Sequence, residues 1–372
     1  MSESLRGAAP EHVLLWMPVG TRVLGGHVVQ LERTAKALRD AGLEVDTSFS
    51  STPEVTEVDL VHGFGLRPTD IRYWHSRGIP VALSTIYVSR AHRTYRADRV
   101  TTPRILAGRG VRAARFARDA LRGTAALLDD CLRFTAVESV DYAAYESADL
   151  LLPNAIGEGE SLVTDFGVTT PIFPVPNGVD PESFAAAGLP FEDRGFALYV
   201  GRVEPHKNQL GLIEALKGSG IPLTLAGYEH PAHADYVRAC RKAGEGWVDF
   251  HLSPTSFGPD ELADLYRRAR VHVLPSWFET TGLVSLEAAL SGCSIATTSR
   301  GYAAEYLDEY AWYLDPEVNE SILRAVQGAW DNPPSPELRE RILDRYTWSH
   351  VAEATLAAYE TLPPRRTGSA AP

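Results

Sequence analysis

The stretch PSWFETTGLVSLEA, Pro275 to Ala288, sets two carboxylates, Glu279 and Glu287, on either side of a Thr-Thr-Gly turn. If VHVLPS is a strand and GLVSLEAAL a helix, Glu279 falls in the connection, and Thr280, Thr281, Gly282, Leu283 and Val284 lead into the helix. The first amides of a helix have no acceptor within it and its dipole favours negative charge there, so Thr281 to Val284 suit a phosphate group. Glu287, about a turn and a half further on, can accept hydrogen bonds from a pair of vicinal hydroxyls. Acids near a helix start are also common as plain complements to the dipole. A second segment, GRVEPHKNQ, adds Arg202 and Lys207 directly after the strand-like FALYVG, where two positive charges could meet a diphosphate. Hydroxyls, phosphate and more hydroxyls make up the layout of a nucleotide sugar.

Two alternating series of elements would carry these groups. In the first, the apolar run HVLLWMP is followed by GGHVVQLERTAKALRDAG, whose Val28, Leu31, Ala35 and Leu38 recur at helical spacing. EVDTSF, DLVHGFG, IPVALSTIY, ADLLLPNA and TPIFPVPNGVD read as further strands. The series restarts with FALYVGRV and runs through the helix NQLGLIEALKG, the strands IPLTLAGYE and WVDFHLS, and the helix DELADLYRRAR. VHVLPS, GLVSLEAAL and CSIATTSR complete it. Alternation of this kind predicts parallel sheets covered on both faces, here α/β with two Rossmann-like doubly wound domains about a central cleft. The Pro/Gly-rich join near 176–190 is the natural linker.

Bulk properties agree with a two-domain enzyme, since 372 residues exceed one usual core. The net charge of −12 argues against a general nucleic-acid binder, which needs a basic surface to displace counterions. No apolar run reaches the roughly 20 residues that span a bilayer, and the N-terminus does not read as a secretory signal, so a cytoplasmic protein is expected. Cys131, Cys240 and Cys293 lack metal-ligand spacing and fit buried, reduced thiols. No Asp-x-Asp element or His/Cys cluster suited to a metal stands out, so no metal site is expected.

Taken together, the Glu-x7-Glu element from Glu279 to Glu287, GRVEPHKN with Arg202 and Lys207, VPNGVD from Val175 to Asp180, and LGGHVVQL with Gly25 and Gly26 resemble the retaining glycosyltransferases of family 4. The resemblance covers nearly the whole chain. It implies the GT-B fold, with an N-terminal acceptor domain over 1–182 and a donor domain over 183–344. It also implies a last helix, about 345–364, that returns to the first domain, and a flexible tail over 365–372. By the same resemblance Arg202 and Lys207 hold the diphosphate of a UDP- or GDP-sugar, Glu287 the ribose and Glu279 the hydroxyls of the donor sugar. Gly25 and Gly26 approach the phosphate from across the cleft, and no cofactor is needed beyond the donor. A nucleotide-sugar epimerase of the same fold and a non-catalytic nucleotide-sugar binding protein are the alternatives.

The chain departs from the family in three places. Ile86 and Tyr87 stand where a histidine is common, ETTGL replaces a Gly-Phe-Gly turn so that the hydroxyls of Thr280 and Thr281 could face phosphate or sugar, and WVDFHLS lacks a following glycine near His251 to Ser253. His62 reads as a packed histidine or an acceptor contact, while Trp277, Phe278 and Trp348 read as packing. Between Arg90 and Arg122 lie ten arginines and only two acids. Arg109, Arg112, Arg115, Arg118 and Arg122 recur at helical spacing, either as a solvated face or as a stripe meeting an anionic lipid at the inner face of a membrane. The acceptor is then a glycan, a lipid-linked molecule or a small metabolite.

Overall fold

The computed structural model describes residues 10–18, 26–55, 57–88, 142–184, 188–229, 231–253 and 257–362. The first half runs β1 (His12–Trp16), α1 (Gly26–Asp40), β2 (Glu44–Ser48), β3 (Leu60–Phe64), α2 (Pro68–His75), β4 (Val81–Ser84), β5 (Leu150–Leu152) and α3 (Ile156–Phe166). Its five strands are all parallel, in the order β2-β1-β3-β4-β5. Successive residues of β1 supply both faces. Val13 and Leu15 join the cluster under α1, whereas Leu14 and Trp16 join the one that holds Trp74 of α2 and Leu162 of α3. Burial on both faces is why β1, β4 and β5 are near-continuous apolar runs, whereas the edge strand β2, EVDTS, is mostly polar.

The second half runs α4 (Pro181–Phe184), β6 (Phe196–Val200), α5 (Gln209–Leu216), β7 (Leu223–Tyr228), α6 (Ala234–Ala243), β8 (Val248–Ser253), α7 (Pro259–Arg268) and β9 (Ala269–Leu274). It continues with α8 (Leu283–Leu290), β10 (Ser294–Thr298), α9 (Ala303–Leu307), β11 (Trp312–Leu314), α10 (Asn319–Asp331), α11 (Pro336–Arg345) and α12 (Trp348–Tyr359). Six parallel strands order as β11-β10-β9-β6-β7-β8. Strand order reverses between β6 and β9, so the loops after these two strands diverge and leave a crevice at their carboxyl ends.

The last helix, α12, leaves the second sheet and packs on α1. Val351, Ala352, Ala358 and Tyr359 share one apolar cluster with Val28, Leu31, Ala35 and Leu38. Two sequence expectations need correction. TPIFPVPNGVD is not a strand of the sheet: it runs beside β5 through the bridge Leu151–Ile172 and the amides of Phe173 and Val175, forms one further bridge, Val179–Thr347, and has no donors at Pro171, Pro174 and Pro176 with which to extend a ladder. The edge strand β11 was not anticipated. Among the described residues no helix is long and apolar enough to cross a membrane. Gly25, Cys131, residues 365–372 and the arginines Arg109, Arg112, Arg115, Arg118 and Arg122 lie outside the described residues.

Candidate active site

The loop after β6 is fixed from beneath. Tyr199 Oη and Gln209 Nε2 both donate to the Arg202 carbonyl, at 3.1 and 2.7 Å. A single 3-10 turn, Pro205–Lys207, then presents His206 and Lys207. The loop after β9 meets it, since the Trp277 amide donates to the His206 carbonyl at 3.0 Å and the His206 ring lies 3.0 Å from the Phe278 carbonyl. These backbone contacts bring Lys207 Nζ within 2.5 Å of Glu279 Oε1, with side chains only 20% and 8% exposed. Arg202 Nη2 lies 3.2 Å from Glu204 Oε1. Both cations singled out in the sequence thus sit at the crevice between β6 and β9, each beside a carboxylate.

Gly282 caps α8 with φ 74° and ψ 60°, and a Cβ there would lie 3.1 Å from Leu274 Cδ2. Glycine is favoured on both counts, by the left-handed backbone and by the close neighbour. The amides of Leu283 and Val284 fall in the first turn, without intrahelical acceptors. Thr281 is committed elsewhere: its buried hydroxyl accepts from Asn177 Nδ2 at 2.9 Å and donates to Tyr306 Oη at 3.4 Å. This side chain ties α8 to the linker.

Glu287, on the next turn of α8, is half-buried and accepts a 3.0 Å hydrogen bond from Tyr266 Oη. Burial pushes its carboxyl up to about 7, against the Tyr266 hydrogen bond and the Arg33 charge, which both favour the ionised form. Arg33 projects from α1 and reaches Asp180 of the linker at 3.3 Å. The raised value has a definite sign for stability. Below the ordinary carboxylate range both folded and unfolded chains are protonated; as pH rises from about 4.5 through 7 the unfolded chain ionises first, and folding loses stability. Glu287→Gln is expected to flatten this fall by roughly 1–3 kcal/mol between about pH 5 and 8, read by urea unfolding at both values. An unchanged slope would place the Glu287 carboxyl in water.

Two residues at this crevice went unremarked in the sequence. His27, second in α1, keeps solvent access, but surrounding protein and the charges of Arg202 and Lys207 hold its imidazole below the usual range. Arg33 is the other. Gly26, Gln30 and Arg33 follow the i, i+4, i+7 spacing of one helix face, the signal that could have drawn attention to that side of α1. Gly26 itself has open space where a Cβ would stand. Beside Lys207, Glu204, Pro205, His206 and His233 line a cavity of about 320 Å³.

Of the remaining sequence candidates, Trp277 and Phe278 flank Glu279 in the loop after β9, and the others lie apart from this constellation. His62 is a packed histidine: its ring nitrogens are 2.7 Å from Tyr359 Oη and 2.8 Å from Ser84 Oγ, and burial pushes it down to about 3. Tyr87 is fully buried, with its hydroxyl on Asp165 at 2.7 Å, while Ile86 is half-buried. Phe278 packs edge-on against Tyr302, the Arg300 guanidinium lies over the Trp277 ring, and exposed His251 pairs with Asp249. Cys240 and Cys293 are free and buried.

With this geometry in place, comparison with known proteins is informative. Residues 181–345 match the model of the family described as glycosyl transferases group 1. The O-antigen chain mannosyltransferase B of Escherichia coli is 29% identical over 184 residues, covering 45% of this chain and 46% of that protein. The chain spans about half the length of the curated relatives it matches. A sucrose-phosphate synthase from Thermosynechococcus elongatus superposes with TM-score 0.70 at 17% identity, over 94% of this chain and 98% of that one. The Anabaena protein HepE, solved in complex with UDP and glucose, gives 0.67 at 13% identity over 94% and 99%. Residues 181–345 are therefore similar to the glycosyl transferases group 1, in a chain whose two parallel sheets have the GT-B fold.

Proposed function

We propose that this protein transfers a sugar from a nucleoside diphosphate sugar, a UDP- or GDP-sugar, to a glycan, lipid-linked or small-molecule acceptor, with retention of configuration and without a metal ion. The observation that carries this reading is the convergence of Lys207, Arg202 and the start of α8 on the crevice between β6 and β9, with Glu279 and Glu287 beside them. Cleaving the bond between sugar and diphosphate builds negative charge on the leaving oxygens. Fixed cations and helix amides stabilise that charge without rearranging during the reaction. In the proposal Lys207 and Arg202 hold the diphosphate, Glu287 takes the ribose hydroxyls, and Glu279 orients the donor sugar. Gly25 and Gly26 face the phosphate from the first half. Residues 183–344 hold the donor, and residues 1–182 with the last helix hold the acceptor. Action in the cytoplasm, at the inner face of a membrane where the acceptor is lipid-linked, belongs to the same reading.

A panel of nucleotide sugars tested for thermal stabilisation should identify one donor, because a ligand bound to the native state alone raises apparent stability by mass action. Transfer of that sugar to an acceptor, with the anomeric centre followed by NMR, should continue in excess EDTA. Interconversion of the sugar without an acceptor would replace transfer by epimerisation, and inhibition by EDTA that a divalent ion reverses would remove metal independence.

A further inference from the structure

Glu305, on α9 of the second half, reaches the first half. Its Oε2 and Oε1 accept the amides of Ile156 and Gly157, each at 2.8 Å, at the start of α3. A carboxylate there satisfies two amides that have no acceptor within the helix and lies at the positive end of its dipole. Three residues earlier, Tyr302 Oη donates to Ser161 Oγ on the same helix at 2.9 Å. The Tyr302 ring packs edge-on to Phe278, and both bury against Ala155, the residue that precedes α3. Beneath this contact the fully buried Glu158 accepts from Thr85 Oγ1 and from the amides of Tyr87 and Asn154, at 2.7, 2.8 and 2.9 Å, which fixes α3 to its own sheet.

The same segment of the second half holds the backbone of Glu279. The Glu279 amide donates to the Arg300 carbonyl at 3.1 Å, and the Tyr302 amide donates to the Glu279 carbonyl at 2.9 Å. The Glu305 carbonyl is itself held, by Arg341 Nη2 and Tyr346 Oη, each at 2.9 Å. An unbroken path of short contacts therefore leads from α3 through Glu305 and Tyr302 to Glu279, and from Glu279 to Lys207. We propose that Glu305 is a positioning residue: by gripping the start of α3 it sets the Glu279 loop in register with the first half, and so aligns donor with acceptor. This rests on the transfer reading given above. Glu305 has no role there in holding the nucleoside diphosphate, which falls to residues of the loop after β6 and of α8.

The test compares wild type, Glu305→Ala and Glu305→Gln by amide hydrogen exchange and by transfer kinetics. In Glu305→Ala, exchange should quicken at Ile156 and Gly157, and also at Glu279 and Tyr302. At saturating donor, kcat should fall about tenfold, the scale of loss for a modest misplacement of reacting groups. UDP or GDP affinity should stay within about threefold, since the proposed phosphate ligands are untouched. Glu305→Gln keeps one acceptor oxygen but sets an amide against the second N–H, so it should fall between the two, and it guards against an alanine variant that fails to fold. Faster exchange confined to Ile156 and Gly157, or an unchanged kcat, would reduce Glu305 to a helix cap and overturn the proposal. A wild-type protein that transfers no sugar would instead remove the transfer reading, while the exchange pattern would still decide whether Glu305 governs the Glu279 loop.

Discussion

Replacing Lys207 with alanine is expected to lower the unfolding midpoint and to abolish stabilisation by UDP or GDP, and adding Glu279→Ala should restore the first without the second. Glu279 is 8% exposed and its carboxylate sits 2.5 Å from Lys207 Nζ, so the single substitution leaves an almost buried charge without its counterion. That penalty is on the order of 2–4 kcal/mol, once reduced for the part of the pair that water reaches. Removing both partners takes away the attraction and the stranded charge together, so most of the stability should return. Nucleotide affinity should not return, because the proposed phosphate ligand is still missing. Urea unfolding of the wild type, both single variants and the double variant forms a cycle that isolates the pairwise energy. The same four proteins, titrated with nucleotide, separate that energy from binding. Recovery of affinity in the double variant would mean that Lys207 only neutralises Glu279.

The second large effect is expected at Gly301. Its φ is +111°, and a Cβ placed there would lie 2.0 Å from the Glu279 carbonyl oxygen and 2.9 Å from Glu279 N. The obstruction is backbone rather than the tip of a flexible side chain, so the two strands of the Glu279–Gly301 bridge must separate. Gly301→Ala should therefore cost more than about 2 kcal/mol, adding strained backbone to lost hydrogen bonds. It should also lower transfer by about a hundredfold, as expected when a group that orients the substrate moves by roughly an ångström. Gly195→Ala is the control, because nothing lies within 4 Å of its Cβ position and its φ is not in the left-handed range. Its effect should stay within about 0.5 kcal/mol. Equal unfolding midpoints for the two variants would show that the Glu279 loop yields easily at its contact with Gly301.

The fold was legible wherever burial on both faces left an uninterrupted apolar run, as in LLL and FALYV. It was misread in TPIFPVPNGVD, which pairs beside β5 only through isolated contacts because its prolines leave too few donors to continue them as a strand, and at Trp312–Leu314, an edge strand too short to leave a pattern. The proximity of Arg202, Lys207 and the Glu279 loop could be anticipated because each follows a strand at the point where strand order reverses. Their pairing could not be. Lys207 and Glu279 were each read toward a ligand, and spacing along a chain says nothing of a contact made across 72 residues. Glu305, His27 and Arg33 were passed over for the same reason, since their partners come from the other half of the chain.

The placement of α12 reverses the usual timetable of synthesis. The clusters on both faces of the second sheet draw on no residue beyond Tyr346, so that half can complete its core as it leaves the ribosome. The first half is made earlier but finished later, because the cluster that Val28, Leu31, Ala35 and Leu38 form with the first sheet stays open on the side that α12 covers, and His62 lacks its Tyr359 partner, until Trp348–Tyr359 has emerged. Domains generally fold in the order in which they are translated. In this chain the amino-terminal sheet must wait with an apolar stripe open to water, and the nascent protein is most exposed to aggregation and to chaperones while its second half is being made.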